Sequence, residues 1–463
     1  MFGLMRRSHL YSNKSPYRDK FYRFSLSWLD MIPSRRCYVL LGIGGVSAAL
    51  LDTLFNRQIS FGFLWSYNFI LAIATVVDAA GVKANAVEVT RTEINRLSVG
   101  RDNPIELKIR SRGKAIARIR DAYPQFEVDR DTIEINLPAN ITEEQTYTIH
   151  PDSRGEYEWG DIQVRQLGYL GLAWRDWLIP AKQQVTIYPD LIGLKELSLR
   201  LAIENSGAMR QARRLGNGTE FAELREYRTG EDIRSIDWKA TARRDRPVVR
   251  VLEPEQEQTL FILLDRGRLM TARVGGLKRF DWGLNATLSL ALAGLSRGDK
   301  VGVAVFDRDV TTWIPPERGN HHLSKLVDRL TPIQPVLLEP DYLGAVTKII
   351  TQQTRRALVV VITDLVDVTA SSELLGAMMR LTPRYLPFCV TLNDPLVEQI
   401  AHSPTENTPD TYARAVALDL LAQRQVAFAR LRQKGVLVLD APCDRLSKEL
   451  VDRYLQLKAR NLL

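Results

Sequence analysis

Two uncharged apolar runs lie back to back near the amino terminus, and they restrict the fold more than anything else in the chain. Cys37 to Leu51 is fifteen residues without a charge, and Ile59 to Val77 is nineteen, close to the roughly 20 needed to cross a bilayer core. Only Asp52 to Gln58 separate them, so the pattern predicts two transmembrane helices over 37–80, joined by a tight turn. Residues 1–36 form a basic segment with eight Lys and Arg side chains against Asp19 and Asp30. The positive-inside rule puts that segment in the cytoplasm, and two crossings bring the chain back to the same side. The expected location is the cell inner (cytoplasmic) membrane, multi-pass, with the soluble domains facing the cytoplasm. A cleaved signal peptide fits poorly, because the first run begins only at residue 37 and a second one follows.

The net charge of +9 belongs mostly to this segment, which carries +6 and leaves +3 for the rest of the chain. A nearly balanced body offers no broad surface for phosphates, so nucleic acid is not an expected partner. A short basic cluster at Arg243, Arg244, Arg246 and Arg250 is the one local exception. Cys37, Cys389 and Cys443 form no CxxC pair, and the five histidines lack zinc-site spacing.

From about residue 85 to 190 the apolar positions alternate, as in Ile105, Leu107 and Ile109 or Ile133 and Ile135. Gly113, Pro124, Pro138, Pro151 and Gly160 break the run into half-buried strands, which predicts a β-sandwich-like domain. The words Arg154-Gly155-Glu156-Tyr157 and Tyr169-Leu170-Gly171-Leu172 read first as turns leading into strands. Docking of a partner or of the next domain is the second reading. Residues 196–256 form a charged connector that starts as a polar helix and passes through a glycine loop at Gly216-Asn217-Gly218. That loop lacks the spacing of a nucleotide-binding motif. From 257 onward short apolar runs alternate with helical stretches. Strands are expected at 260–264, 301–306, 357–362, 386–392 and 436–439, giving a C-terminal α/β doubly wound domain, and the whole chain is multidomain. Ligands of such sheets sit beyond the carboxyl ends of the strands, here at Asp265 and Thr363-Asp364.

The densest word in the sequence lies in the connector: Tyr227-Arg228-x-Gly230-x-Asp232-Ile233-Arg234-x-Ile236-Asp237-Trp238-x-x-Thr241-Ala242-Arg243. Its acids and arginines alternate, so paired carboxylates holding a partner or the next domain are expected rather than a catalytic carboxylate. Tyr227, Ile233, Ile236 and Trp238 are expected to act as apolar anchors. This word resembles the signature of the DUF58 family, as do the paired spans, the Arg154-Gly155 and Gly171-Leu172 words and the region after the connector. The resemblance implies a membrane anchor, a β domain and a von Willebrand factor A-like (vWA-like, Rossmann-like) domain. It also implies a link to a MoxR-type AAA+ ATPase in assembly or activation of other proteins or in envelope functions, and no established enzymatic activity. The partner-binding or interdomain residues are then Tyr227, Arg228, Gly230, Asp232, Arg234, Asp237, Trp238, Thr241 and Arg243.

A vWA adhesion site holds Mg2+ with hard oxygens from an Asp-x-Ser-x-Ser word, a later Thr and a later Asp. Here the first word is Asp265-Arg266-Gly267-Arg268-Leu269, with both serines missing and two arginines added, while Asp364 fits the last position. The metal site is degenerate, and no cofactor is expected, Mg2+ being the single candidate. Asp265 and Asp364 are expected to pair with Arg266 and Arg268 or to cap helices. The function read from the sequence is a membrane-anchored cytoplasmic protein-interaction scaffold, not an enzyme. A metal-dependent hydrolase or phosphotransfer enzyme using these carboxylates is the alternative.

Overall fold

The computed structural model describes residues 31–460 except 55–56, 216–219, 229–232, 245, 254–257, 366–367 and 405–407. The first thirty residues, which hold most of the basic segment, lie outside the described residues, as do Gly230 and Asp232 of the connector word. Helices α1 (Arg35–Leu54) and α2 (Arg57–Gly81) coincide with the two apolar runs. Both are long and apolar enough to cross a membrane, and most of their surface is not covered by protein. They pack on each other, with the Tyr67 hydroxyl donating to the Leu40 carbonyl at 2.9 Å and Tyr67 filling the space beside Gly44.

The β domain follows from its alternation. Asn103–Arg110 buries every second side chain, as do Ala115–Asp121 and Ile133–Leu137. Its strands form sheets of five, four and three, antiparallel except where Thr186–Tyr188 runs parallel to Arg96–Ser98. One core joins them, containing Leu107, Ile109, Ile119, Tyr147 and a fully buried Trp159. The sequence pattern missed one strand: Met31–Pro33, just before α1, pairs with Ala173–Arg175 at the edge of the five-stranded sheet. Residues 31–33 therefore belong to the β domain rather than to a separate basic segment.

Helix α3 (Leu191–Leu215) opens the connector, yet Leu194 and Leu201 are buried in the core of the α/β domain and Arg200 pairs with Asp452 at 2.6 Å. The connector proper is then a hairpin, Glu220–Glu226 against Val248–Glu253, with the short α4 (Trp238–Arg244) in the segment that joins the two strands.

The α/β domain has a six-stranded sheet in the order 310–317, 300–306, 259–265, 358–363, 386–393, 437–442. All neighbours are parallel except the edge strand 310–317, which reverses onto 300–306. The central strand 259–265 buries both faces: Leu260, Ile262 and Leu264 enter one core, Phe261 and Leu263 another. The first core lies under α5 (Arg279–Ser296), α6 (Asn320–Leu330) and the last helix; the second lies under α7 (Tyr342–Gln352) and α8 (Val368–Leu381) and takes in Phe428 and Leu431. The remaining helices are α9 (Pro395–His402), α10 (Thr408–Gln433) and α11 (Leu446–Ala459). Near-continuous apolar strands are what a sheet covered on both sides requires. The antiparallel edge strand and α9 were not read from the sequence, because the strand mixes polar residues and two prolines with its apolar ones and α9 spans only eight residues.

Arginine 154 joins the two folded domains. Its guanidinium is buried, pairs with Asp281 at 2.6 Å, and donates to the carbonyls of Thr331 at 2.8 Å and Ile333 at 2.9 Å. Phe280 lies under its charged face. Gly155, with φ +145, turns the chain sharply into the following strand. Around this bolt the Asp190 amide donates to Asn285, Arg273 pairs with Asp152, and Leu277 enters the β-domain core. The word Arg154-Gly155 is thus both the turn and the interdomain contact.

Candidate functional site

At the carboxyl ends of the parallel strands, Asp265 and Asp364 occupy the positions expected of them, but their partners differ from the sequence reading. The Asp364 carboxylate is 1% exposed and is held from both sides by Arg279 at 2.5 Å and Arg424 at 2.8 Å. Arg424 also reaches Asp440 at 2.7 Å and the carbonyls of Leu365 and Leu392. Burial works to lower the Arg424 pKa, and the two carboxylates outweigh it, so the guanidinium is held above its ordinary value. Arg266 and Arg268, the expected partners, point elsewhere: Arg266 pairs with Asp307 at 2.6 Å and Arg268 with Glu339 at 2.6 Å. The expectation fails because the backbone after Asp265 bends away toward the 336–340 segment, where the Arg268 amide donates to the Leu338 carbonyl.

Asp265 is bound differently. One oxygen accepts from the Gly267 amide at 2.7 Å, and the other from the Thr363 hydroxyl at 2.7 Å and from Tyr342. No cation is within ion-pair distance among the described residues, and burial pushes its pKa up to about 6. Position 267 has no room for a serine: a β-carbon there would lie 2.8 Å from the Leu338 carbonyl and 3.0 Å from an Asp265 oxygen. Both strand-end carboxylates are therefore present, while the Leu338 carbonyl closes position 267 and Asp364 is neutralised by guanidinium groups. Among the described residues no cluster of three or more His, Cys, Asp and Glu could hold a metal ion. A cavity of about 430 Å³ lies at the opposite, amino-terminal ends of the same strands, lined in part by Asp299, Lys300, Arg355 and Tyr454.

The connector word folds onto its own hairpin. Asp237 accepts from the Lys239 and Ala240 amides, starting α4, and pairs with Arg250 at 2.6 Å. Arg250 and these amides hold the Asp237 carboxyl below its ordinary value. Its own amide donates to the Val248 carbonyl, the Tyr227 amide to Pro247, and the Val248 amide to the Thr241 hydroxyl. Tyr227, Arg228 and Arg234 are engaged as well, and Arg243 is exposed. Arg246 pairs with Glu226, so two members of the short basic cluster are already paired within the hairpin. Trp238 is 66% exposed and Ile233 63%. That corrects the expectation of buried anchors: the hairpin leaves these apolar groups facing outward. Arg154 ties the two domains together, while the Arg246–Glu226 and Arg250–Asp237 pairs of the connector lie within its own hairpin. Sequence reasoning missed Arg279, Arg424 and Asp440; no local word marks them.

Comparison with known proteins supports the resemblance over part of the chain. Residues 223–404 match the family model described as "Protein of unknown function DUF58". The chain is 24% identical over 151 residues to the uncharacterized protein Rv1480 of Mycobacterium tuberculosis, covering 32% of this chain and 48% of that protein. It is 22% identical over 189 residues to the uncharacterized protein YeaD of Bacillus subtilis, covering 40% and 44%. The match thus spans about half the length of these relatives. Similar solved structures include the conserved hypothetical protein BatB from Bacteroides thetaiotaomicron, at 14% identity, 44% and 99% coverage and a TM-score of 0.30. The SpRpn10 VWA domain is another, at 11% identity, 42% and 94% coverage and a TM-score of 0.27. The family model begins in the connector hairpin and ends just after α9, so it covers Asp265, Arg279 and Asp364 and leaves out the spans, the β domain and Arg424. From the connector hairpin through α9, this chain is similar to the DUF58 family.

Proposed function

We propose that this protein is a membrane-anchored interaction scaffold that binds rather than catalyses. Its anchor is the α1–α2 hairpin, crossing the inner membrane twice and leaving the folded domains in the cytoplasm. The observation that carries the reading is the connector, where Trp238 and Ile233 are exposed on a backbone tied down by Asp237. Exposed aromatic side chains on a fixed backbone suit recognition, because they bury area while losing little conformational freedom. The proposed partner is a MoxR-type AAA+ ATPase, as the family resemblance implies. The α/β domain is read as doubly wound and vWA-like, supported by its parallel strands with apolar cores on both faces. Its carboxylates are given a structural role, supported by the pairing of Asp364 with two arginines.

The test uses the full chain in phospholipid nanodiscs and the purified MoxR-type ATPase of the same organism, with and without ATP. Trp238→Ala is expected to weaken binding at least tenfold, while Asp265→Asn leaves it unchanged. Divalent-metal-dependent hydrolysis lost in Asp265→Asn would instead establish the enzyme reading.

A further inference from the structure

The loop Gly168–Leu172 sits at the base of the helical hairpin and is tied to it by several backbone hydrogen bonds. Asp78, near the end of α2, is buried and accepts from the amides of Leu170 at 2.7 Å, Leu172 at 2.8 Å and Ala173 at 3.2 Å. From the α1 side, the Ser34 amide donates to the Leu172 carbonyl and the Ser34 hydroxyl to that of Gly171. Glycine is required twice: a β-carbon at 168 would lie 2.3 Å from the Asp78 carboxylate, and Gly171 has φ +72 with Arg36 against it. Leu172 joins Cys37 and Leu71 in an apolar cluster between the two helices. The loop is therefore level with the first turns of α1 and the last turns of α2.

Nothing in the fold requires Tyr169 and Leu170 to be apolar. Tyr169 is 97% exposed and Leu170 53%, although both flank residues packed into the hairpin. At the same ends of the two helices Arg35, Arg36 and Lys83 are also exposed, with Arg36 lying against Gly171. An aromatic and an aliphatic side chain projecting at the end of a membrane-crossing pair whose ends carry exposed cations match the interfacial layer of a bilayer.

We propose that this loop is a lipid-contacting wedge: Tyr169 and Leu170 enter the boundary between headgroups and acyl chains, and Arg35, Arg36 and Lys83 meet the lipid phosphates. The β domain is then held against the membrane surface instead of swinging on a tether. The inference rests on the reading that α1 and α2 cross a membrane.

The experiment places an environment-sensitive fluorophore on Tyr169→Cys in the full chain, reconstituted into phosphatidylcholine and phosphatidylglycerol vesicles carrying nitroxide lipids at shallow or deep positions. The native cysteines are buried, and labelled wild type supplies the background. Ile70→Cys, on the outer face of α2, reports the span, and Tyr412→Cys, on α10, reports water. The proposal expects the Tyr169→Cys probe to be quenched at least twofold more by shallow than by deep nitroxide, and to be shielded from iodide relative to the Tyr412→Cys probe. If the Ile70→Cys probe is quenched by deep nitroxide while the Tyr169→Cys probe responds only to iodide, the wedge is wrong and the span stands. A Tyr169→Cys probe reached by neither quencher is covered by protein, which also overturns the wedge. If the Ile70→Cys probe escapes nitroxide, the span reading falls and the wedge with it.

Discussion

Asp265 and Asp364 lie side by side in sequence logic but differ in charge balance. Asp364 has two guanidinium partners, whereas Asp265 has only neutral donors and a pKa of about 6. Since the folded value lies above the unfolded one, the folded state holds the extra proton between pH 4 and 6, and stability falls as pH rises through that window. A rise from 3.8 to about 6 corresponds to about 3 kcal/mol. Asp265→Asn should therefore stabilise the chain by up to about 3 kcal/mol at pH 7.5, have little effect at pH 4.5, and flatten the pH profile in chemical denaturation. An unchanged profile would show that Asp265 is not the group responsible. Arg424→Ala leaves Asp364 and Asp440 short of a cation in a buried setting and should cost about 3 to 5 kcal/mol. Equilibrium unfolding at pH 7.5 measures that loss. The two carboxylates were legible in the sequence because they end apolar strands. Arg279 and Arg424 were not, because they approach Asp364 from 85 and 60 residues away and each reads locally as a surface cation on a helix.

Among the elements, the periodic ones were the readable ones. Strands buried on both faces and helices with one apolar side leave a signal in the sequence, and both ends of the six-stranded sheet's parallel run were found that way. Met31–Pro33 is too short to carry a period, and the arginine that fixes the domains was hidden in what reads as a turn. Arg154 and Asp281 form a buried pair with additional carbonyl acceptors, so Arg154→Ala should cost about 3 to 5 kcal/mol. It should also free the β domain to move, read as new protease cleavage near 189–196 in the folded protein. Arg154→Lys should not restore the wild-type pattern, because one ammonium cannot replace the fork that reaches Asp281, Thr331 and Ile333 together. In the connector, Trp238→Ala should change stability by less than about 0.5 kcal/mol, since the ring is mostly exposed. Thermal unfolding decides this, and a large loss would mean that the ring is packed in solution after all.

At the scale of the whole molecule, the apolar helical hairpin is tied to the β domain by Asp78, and the β domain to the α/β domain by Arg154. Beyond these links lies the connector hairpin, where Trp238 and Ile233 face outward. The hairpin and the domain classes followed from apolar length and from periods of two and three to four. The links between domains did not, because they are single side chains joining distant segments. The central claim is that the exposed connector surface recognises a protein while the strand-end carboxylates serve the fold. The most direct measurement is the affinity of the nanodisc-embedded full chain for the MoxR-type ATPase, compared among wild type, Trp238→Ala and Asp265→Asn. The account predicts at least a tenfold loss for Trp238→Ala, with a melting temperature like that of wild type, and no loss for Asp265→Asn. Equal affinity for wild type and Trp238→Ala, or loss confined to Asp265→Asn, would contradict it.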